Sequence, residues 1–206
     1  MQQYLELCPE MQEMKHSQPV ILASGSPRRR ELISLAFENV RIYPADIEEK
    51  IDNKVPAEDV TLGLSLQKAS HVSRLFPGIP VIGCDTVVIF DGEVMGKPSD
   101  DEDAFRMLRK LSGSVHTVST GCSIVCGDTV RSFKELTRVA FWELSDDMIR
   151  SYIASGEPMD KAGAYGIQKL GSLLVRSLDG DYFNVVGLPV SRLYREFSDF
   201  MKCLKN

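Results

Sequence analysis

The sequence predicts a mixed α/β domain. Three observations carry this. A short apolar run, Pro19-Val20-Ile21-Leu22-Ala23, breaks at Ser24-Gly25-Ser26-Pro27, and a longer run of buried-strand type extends from Val81 to Phe90. Between them, from Pro56 to Phe76, apolar residues recur at helical spacing. At 206 residues, with 43% hydrophobic and 26% charged, the chain can bury one substantial core without disulfides or a metal to staple it.

Residues 1–18 mix Glu, Gln, Lys and Met without an apolar run of signal-peptide length. They are expected to form a flexible N-terminal extension, with the folded domain over 19–206. After the first strand, Ser26 suits an N-cap and Pro27 the first helical position, which predicts a helix over 27–36 with Leu32, Ile33, Leu35 and Ala36 inward. In the 56–76 helix, Val60, Leu62, Leu64, Leu66, Ala69, Val72 and Phe76 occupy a broad apolar arc, and Lys68 falls inside it. Its ammonium either snorkels outward or faces a partly enclosed cleft.

The run 81–90 reads as a buried strand carrying one carboxylate, Asp85, followed by an Asp91-Gly92 turn and a short return through 93–95. Burying that carboxylate unpaired would cost on the order of several kcal/mol, so Asp85 calls for a cation, a metal or a cleft. A helix near 100–111 and strands over 115–126 and 129–142 follow, and then a helix over 145–155 stopped by Gly156. A loop at 156–166, strands near 167–178 and 182–186, and a final helix over 188–204 complete the reading.

Composition removes several function classes. The formal net charge of −5 lacks the basic footprint of general nucleic-acid binding, although a polyanionic small molecule needs only a local cluster of cations and amides. No stretch approaches the roughly 18 apolar residues of a membrane span. The 5 cysteines are odd in number and scattered, which fits a reducing, cytoplasmic setting better than a disulfide framework. Cys122 and Cys126 lack a second ligand pair for zinc, and His16, His71 and His116 are not spaced as metal ligands. Gly92-Glu93-Val94-Met95-Gly96-Lys97-Pro98 fails as a P-loop on spacing and on its proline, and neither GxGxxG nor GxSxG is present.

The turn Ser24-Gly25-Ser26-Pro27-Arg28-Arg29 can hold phosphate: Ser24 and Ser26 supply donors, and two guanidinium groups sit on the opening turn of a helix. The same residues also make an ordinary capped helix with a solvated arginine face. Glu48, Glu49, Lys68, Asp85, Lys97, Asp160, Lys161 and Gln168 add carboxylates, ammonium groups and an amide near glycines, a set suited to a hard divalent cation and a polyphosphate in one cleft.

These segments lie within a series of motifs. Leu22 to Arg29, Gln67-Lys68-Ala69, Asp85-Thr86-Val87-Val88, Gly96-Lys97-Pro98, Leu111-Ser112-Gly113, Ser155-Gly156-Glu157, Asp160 to Gln168 and Asn184 to Pro189 follow one another in this order. Through them the chain resembles the Maf family of nucleotide pyrophosphatases, from about residue 19 to near the C terminus.

The resemblance implies a Maf or ITPase-like fold: a mixed twisted sheet with flanking helices, in two lobes around a nucleotide cleft. It implies hydrolysis of a nucleoside triphosphate between the α and β phosphates, giving the monophosphate and pyrophosphate with Mg²⁺ or Mn²⁺ as cofactor. On it, Asp85 matches the general base. Glu49 matches a metal-holding position that Asp85 shares, and Ser24, Arg28, Arg29, Lys68 and Lys97 match positions that grip the triphosphate. Arg28, Thr86 and Gln168 match members acting on dTTP and UTP, and a glutamine amide can both donate and accept at the N3–H and O4 edge of thymine or uracil. A nucleotide-binding regulator of cell division without turnover stays open as an alternative, as does the same chemistry on 7-methyl-GTP. The expected partner is the nucleotide substrate, with no nucleic acid or membrane, and a homodimer is left open.

Overall fold

The computed structural model describes residues 15–52 and 54–204. The expected N-terminal extension lies outside the described residues as far as residue 14. His16 is already part of the body. Its N–H donates to Ala36 O at 2.9 Å, its carbonyl accepts from Glu38 N at 3.0 Å, and its ring packs against Phe37, Tyr194 and Phe197.

The described strands form one sheet of 7. They are β1 (Val20–Leu22), β2 (Val40–Ile42), β3 (Val81–Phe90), β4 (Glu93–Met95), β5 (Val115–Cys126), β6 (Thr129–Phe141) and β7 (Val175–Asp179). The order is β2-β1-β3-β5-β6-β7, with β4 beside β3; β1 is parallel to β2 and β3, and the other pairings are antiparallel. Along one edge of β3 the partner changes, because β1 pairs only as far as Ile82 and β4 begins at Val88. Residues 83–87 therefore have no ladder partner on that edge among the described residues. The carboxyl end of β1 opens onto this gap, the kind of switch in sheet pairing at which open α/β sheets take ligands.

The helices are α1 (Pro27–Ile33), α2 (Val60–Ser73), α3 (Asp101–Leu111), α4 (Asp146–Ala154), α5 (Tyr182–Val186) and α6 (Val190–Cys203). None among the described residues is long and apolar enough to cross a membrane. Side chains alternate along a strand, and on β3 the even-numbered residues share a face with α1, α3, α4 and α6. That face carries two apolar cores. Ile82 and Cys84 join Leu32, Ile33, Leu193 and Phe197 in the first; Val88 joins Val118, Leu108 and Ile149 in the second. Thr86 stands at the divide.

α2 covers the opposite face, where Ala69 and Val72 meet Ile21, Val81 and Val125. It lies unusually close to the sheet. A methyl group on Gly83 would run into Ser65 O and Ala69 N, and one on Gly121 into Thr61 O, so both positions exclude a side chain. Thr61 and Ser65 then reach Ser119 and Ser123 by hydroxyl contacts of 3.2 and 2.9 Å. The inward residues of α2 thus include Thr61, Ser65 and Ala69, while Leu62 and Leu66 of the expected apolar arc are only half-buried.

Several element assignments require correction. Residues 182–186, expected as a strand from their aromatic and β-branched content, form α5, because the Asp181 side chain accepts from Phe183 N at 2.8 Å and Gly187 ends the turn. The expected strand at 167–178 is a 3₁₀ segment over Lys169–Leu174 followed by β7 alone. The expected 156–166 loop contains two 3₁₀ turns, Glu157–Asp160 and Ala162–Ala164. α1 stops at Ile33 and 34–37 continue as hydrogen-bonded turns, α2 starts at Val60 after a 3₁₀ turn, and β2, too short to stand out in the sequence, was not anticipated.

Candidate active site

The site grows from the turn that follows β1. Ser26 caps α1, its Oγ accepting from Arg29 N at 3.4 Å, with Pro27 in the first turn. Ser24 Oγ accepts from Ser26 N and from Arg29 Nη1, both at 3.3 Å. Its own hydroxyl proton has no acceptor among the described residues, so Ser24 presents a donor. Arg28 reaches away from the turn to Asp160 at 3.4 Å, tying α1 to the Glu157–Asp160 segment. Burial pushes the Asp160 carboxyl up, but Lys161 at 2.5 Å and Arg28 outweigh it and leave its pKa below the ordinary value.

Arg29 points into the gap beside β3. Its Nε donates to Gly187 O at 2.8 Å, Nη1 to Cys84 O at 2.9 Å as well as to Ser24, and Nη2 to Thr86 Oγ1 at 2.9 Å. It thereby supplies Cys84 with the backbone partner that a neighbouring strand would otherwise give. A guanidinium has five N–H donors in a fixed fork, and here only one, on Nη2, is left for a ligand.

On the other face of β3, Asp85 looks toward α2. Lys68 Nζ lies 2.5 Å from Asp85 Oδ1 and 2.9 Å from Glu49 Oε1. The Lys68 and Asp85 side chains are each 13% exposed and Glu49 44%, so the two carboxylates meet one ammonium at a partly open position rather than in sealed core. Lys68 does not snorkel outward: its little-exposed ammonium turns to the two carboxylates. Seating of α2 on Gly83 and Gly121 brings the lysine within reach.

Lys97 and Gln168 stand apart from this group, on two segments joined by a 2.9 Å hydrogen bond from Gly163 N to Gly96 O. Lys97 is exposed and makes no ion pair among the described residues; Gln168 is half-buried ahead of the 3₁₀ segment. Ala164 and Lys169, on either side of Gln168, hold left-handed φ angles of 58° and 53°. Such backbone in a residue with a side chain costs about 1 kcal/mol or more and persists only where neighbours enforce it. Here Tyr152 Oη accepts from Gly166 N at 3.2 Å, and Tyr165 Oη meets His116 Nε2 at 2.7 Å.

The sequence reading missed Thr120, and it named Asn184 and Gly187 only within the Asn184 to Pro189 motif, without a role. Thr120 lies opposite Thr86 on β5, with the hydroxyl oxygens 2.9 Å apart, and itself donates to Asn184 O at 3.0 Å. A pair of threonines on adjacent strands gives no signal until the register is known.

A family model described as Maf-like protein matches residues 19–200. The chain belongs to the Maf-like family. A dTTP/UTP pyrophosphatase of Bacillus cereus (strain AH187) is 48% identical over 181 residues, covering 88% of this chain and 95% of that protein. A dTTP/UTP pyrophosphatase of Bacillus thuringiensis subsp. konkukian (strain 97-27) is 47% identical with the same coverage. Among solved structures, the Staphylococcus aureus Ham1 protein is similar at a TM-score of 0.45 and 14% identity, over 60% of this chain and 72% of that one. This last likeness is too slight to inform the site.

Proposed function

We propose that this chain is a nucleoside triphosphate pyrophosphatase that hydrolyses dTTP and UTP to the nucleoside monophosphate and pyrophosphate. Relatives of nearly half-identical sequence, matched over almost their whole length, carry that activity in their names. At the site, the observation that carries the reading is Lys68 held between Glu49 and Asp85, beside a phosphate-binding turn whose Ser24 proton is available.

In this reading Ser24, Arg28, Lys68 and Lys97 bind the triphosphate, with Ser26 and Arg29 shaping the turn. Asp85 Oδ2 has no partner among the described residues and takes the proton of the attacking water. The water oxygen bonds to the α phosphorus as the bond to the bridging oxygen of the β phosphate breaks. Lysine and arginine heads then stabilise the charge that gathers on departing pyrophosphate. Gln168 contributes to the choice of base, while the Thr86 hydroxyl, engaged by Arg29 and Thr120, supports the site through Arg29.

Two carboxylates drawn to one ammonium are hard oxygen donors, and they fit Mg²⁺ or Mn²⁺, ions that commonly take one or two carboxylates and fill the rest of the shell with phosphate and water. Among the described residues no cluster of three or more potential ligands exists, so Glu49 and Asp85 would hold the ion and the substrate would complete its shell. When bound, the ion supplies Lewis-acid polarisation and lowers the pKa of water. A cytoplasmic setting belongs to the same reading, supported by the free thiols of Cys84, Cys122, Cys126 and Cys203.

The test is pyrophosphate release from dTTP, UTP, CTP and 7-methyl-GTP with Mg²⁺ or Mn²⁺. Turnover is expected with the first two. Binding of dTTP and UTP without pyrophosphate release under either metal overturns the reading.

A further inference from the structure

Arg29 is held by a closed circuit of hydrogen bonds whose direction can be worked out. A guanidinium cannot accept, so Thr86 Oγ1 accepts from Arg29 Nη2. A carbonyl cannot donate, so the single proton of Thr120 goes to Asn184 O. The contact between the two hydroxyls, at 2.9 Å, must therefore use the proton of Thr86. The chain runs one way, from guanidinium to Thr86 to Thr120 to the Asn184 carbonyl. That carbonyl also accepts from Gly187 N at 3.0 Å, and Gly187 O accepts from Arg29 Nε at 2.8 Å, which closes the circuit.

The far end of the circuit is anchored. Asn184 is fully buried, and its Nδ2 donates to Val118 O at 3.1 Å and to Thr137 Oγ1 at 2.9 Å, which in turn donates to Asp181 O at 3.0 Å. The contact with a carbonyl fixes which amide atom is nitrogen. Its Oδ1 is left buried without a partner. An orphaned acceptor is a cost, borne at a residue whose Nδ2 and backbone carbonyl are each engaged twice in seating α5 and the chain.

We propose that Thr120 and Asn184 are positioning residues for the reaction: through Thr86 they fix the guanidinium of Arg29, which in turn holds the Ser24 hydroxyl and the Cys84 carbonyl next to Asp85. Neither residue touches the substrate. The circuit fills the divide between the two apolar cores on this face of the sheet, and Thr86 is the partner that orients the Nη2 end of a guanidinium whose Nε and Nη1 are held by Gly187 O, Cys84 O and Ser24. Misplacement of a binding group by about 1 Å can cost up to about 10²-fold in rate, so loosening this circuit acts on the chemical step.

The inference rests on the pyrophosphatase reading, and the two fail differently. If the unaltered chain releases no pyrophosphate from dTTP or UTP, that reading falls; if it turns over and the variants below behave as wild type, only this inference falls. Thr120→Val keeps shape and removes the hydroxyl. It is expected to lower kcat about tenfold with KM changed less than about twofold, and Thr120→Ser is expected to restore most of the rate. In an Arg29→Lys background, Thr120→Val is expected to cause no further loss, since its effect passes through the guanidinium. Unchanged kcat in Thr120→Val, a Ser variant as slow as the Val variant, or losses that multiply in the double variant each overturn the proposal. A measurement on the unaltered protein covers the case in which Thr120→Val does not fold: the Arg29 Nε–H is expected to exchange with solvent at least about tenfold more slowly than a surface arginine, and equal rates overturn it.

Discussion

Asp85 and Thr86 are neighbours in sequence on opposite faces of β3, and the two faces treat polar groups differently. Toward α2, Asp85, Lys68 and Glu49 form a partly exposed charged cluster with carboxylate oxygen to spare. Toward α1, Thr86 belongs to a circuit in which nearly every donor and acceptor is already used, and most of its members are buried. The first arrangement can exchange partners with a ligand or an ion. The second resists exchange, and it gives the first a fixed frame from which to act.

The largest expected effect tests the open face. Asp85→Asn leaves an oxygen for Lys68 but no base, and kcat is expected to fall about 10²–10⁴-fold in a pyrophosphate-release assay with the fold intact. Full activity in this variant would remove Asp85 from the base role. Next comes the seating of that face: Gly121→Ala is expected to cost about 3 kcal/mol in denaturant unfolding, because the new methyl meets the backbone of α2 rather than a flexible side chain. A loss below about 0.5 kcal/mol would show that α2 can lift without penalty.

A third test concerns the closed face at its one poorly satisfied histidine. His116 is buried with Nδ1 unpartnered, and burial lowers its pKa from 6.5 to about 4. Below pH 6.5 the unfolded chain takes up a proton that the folded chain refuses, so stability is full above that pH and falls as the pH drops toward about 4. The loss from this group is on the order of 3 kcal/mol, measured as the difference in pH slope of unfolding free energy between the wild type and His116→Phe. Identical slopes would contradict the shift. The smallest effect is expected for Thr86→Val, about 1–2 kcal/mol of stability from the hydrogen bonds to Arg29 and Thr120. A variant as stable as the wild type would mean that the circuit is replaced by water.

Much of this contrast was legible in the sequence, but unevenly. Ser26 before Pro27 marks a helix start, and a carboxylate in an apolar strand demands a partner, so the capped turn after β1 and the need of Asp85 for a cation could be read locally. Lys68 was ambiguous until the structure showed how closely α2 approaches the sheet, an approach set by glycines on two other elements. The roles of Thr120 and of Asn184, the latter known only as part of a motif, were not legible because they depend on strand register and on a short helix at 182–186 that local propensity reads as a strand. From its position beside Arg28, Arg29 reads as a phosphate ligand. Its engagement with Gly187, Cys84 and Thr86 involves residues remote in sequence, and only the folded arrangement shows that little of its donor capacity remains.

The bare surfaces at Gly83 and Gly121 have a consequence for comparing divergent members of this family. They act as a spacer of zero thickness: the distance between a helix-borne ammonium and a strand-borne carboxylate is set by what is missing from the sheet beneath. A relative with alanine at either position must carry its helix further out, and its lysine would then need a different reach to close on the acid. Residue volume at two sites with no polar atom in their side chains therefore reports on the charge geometry of the cleft, and can be read from a sequence before any charged residue has changed.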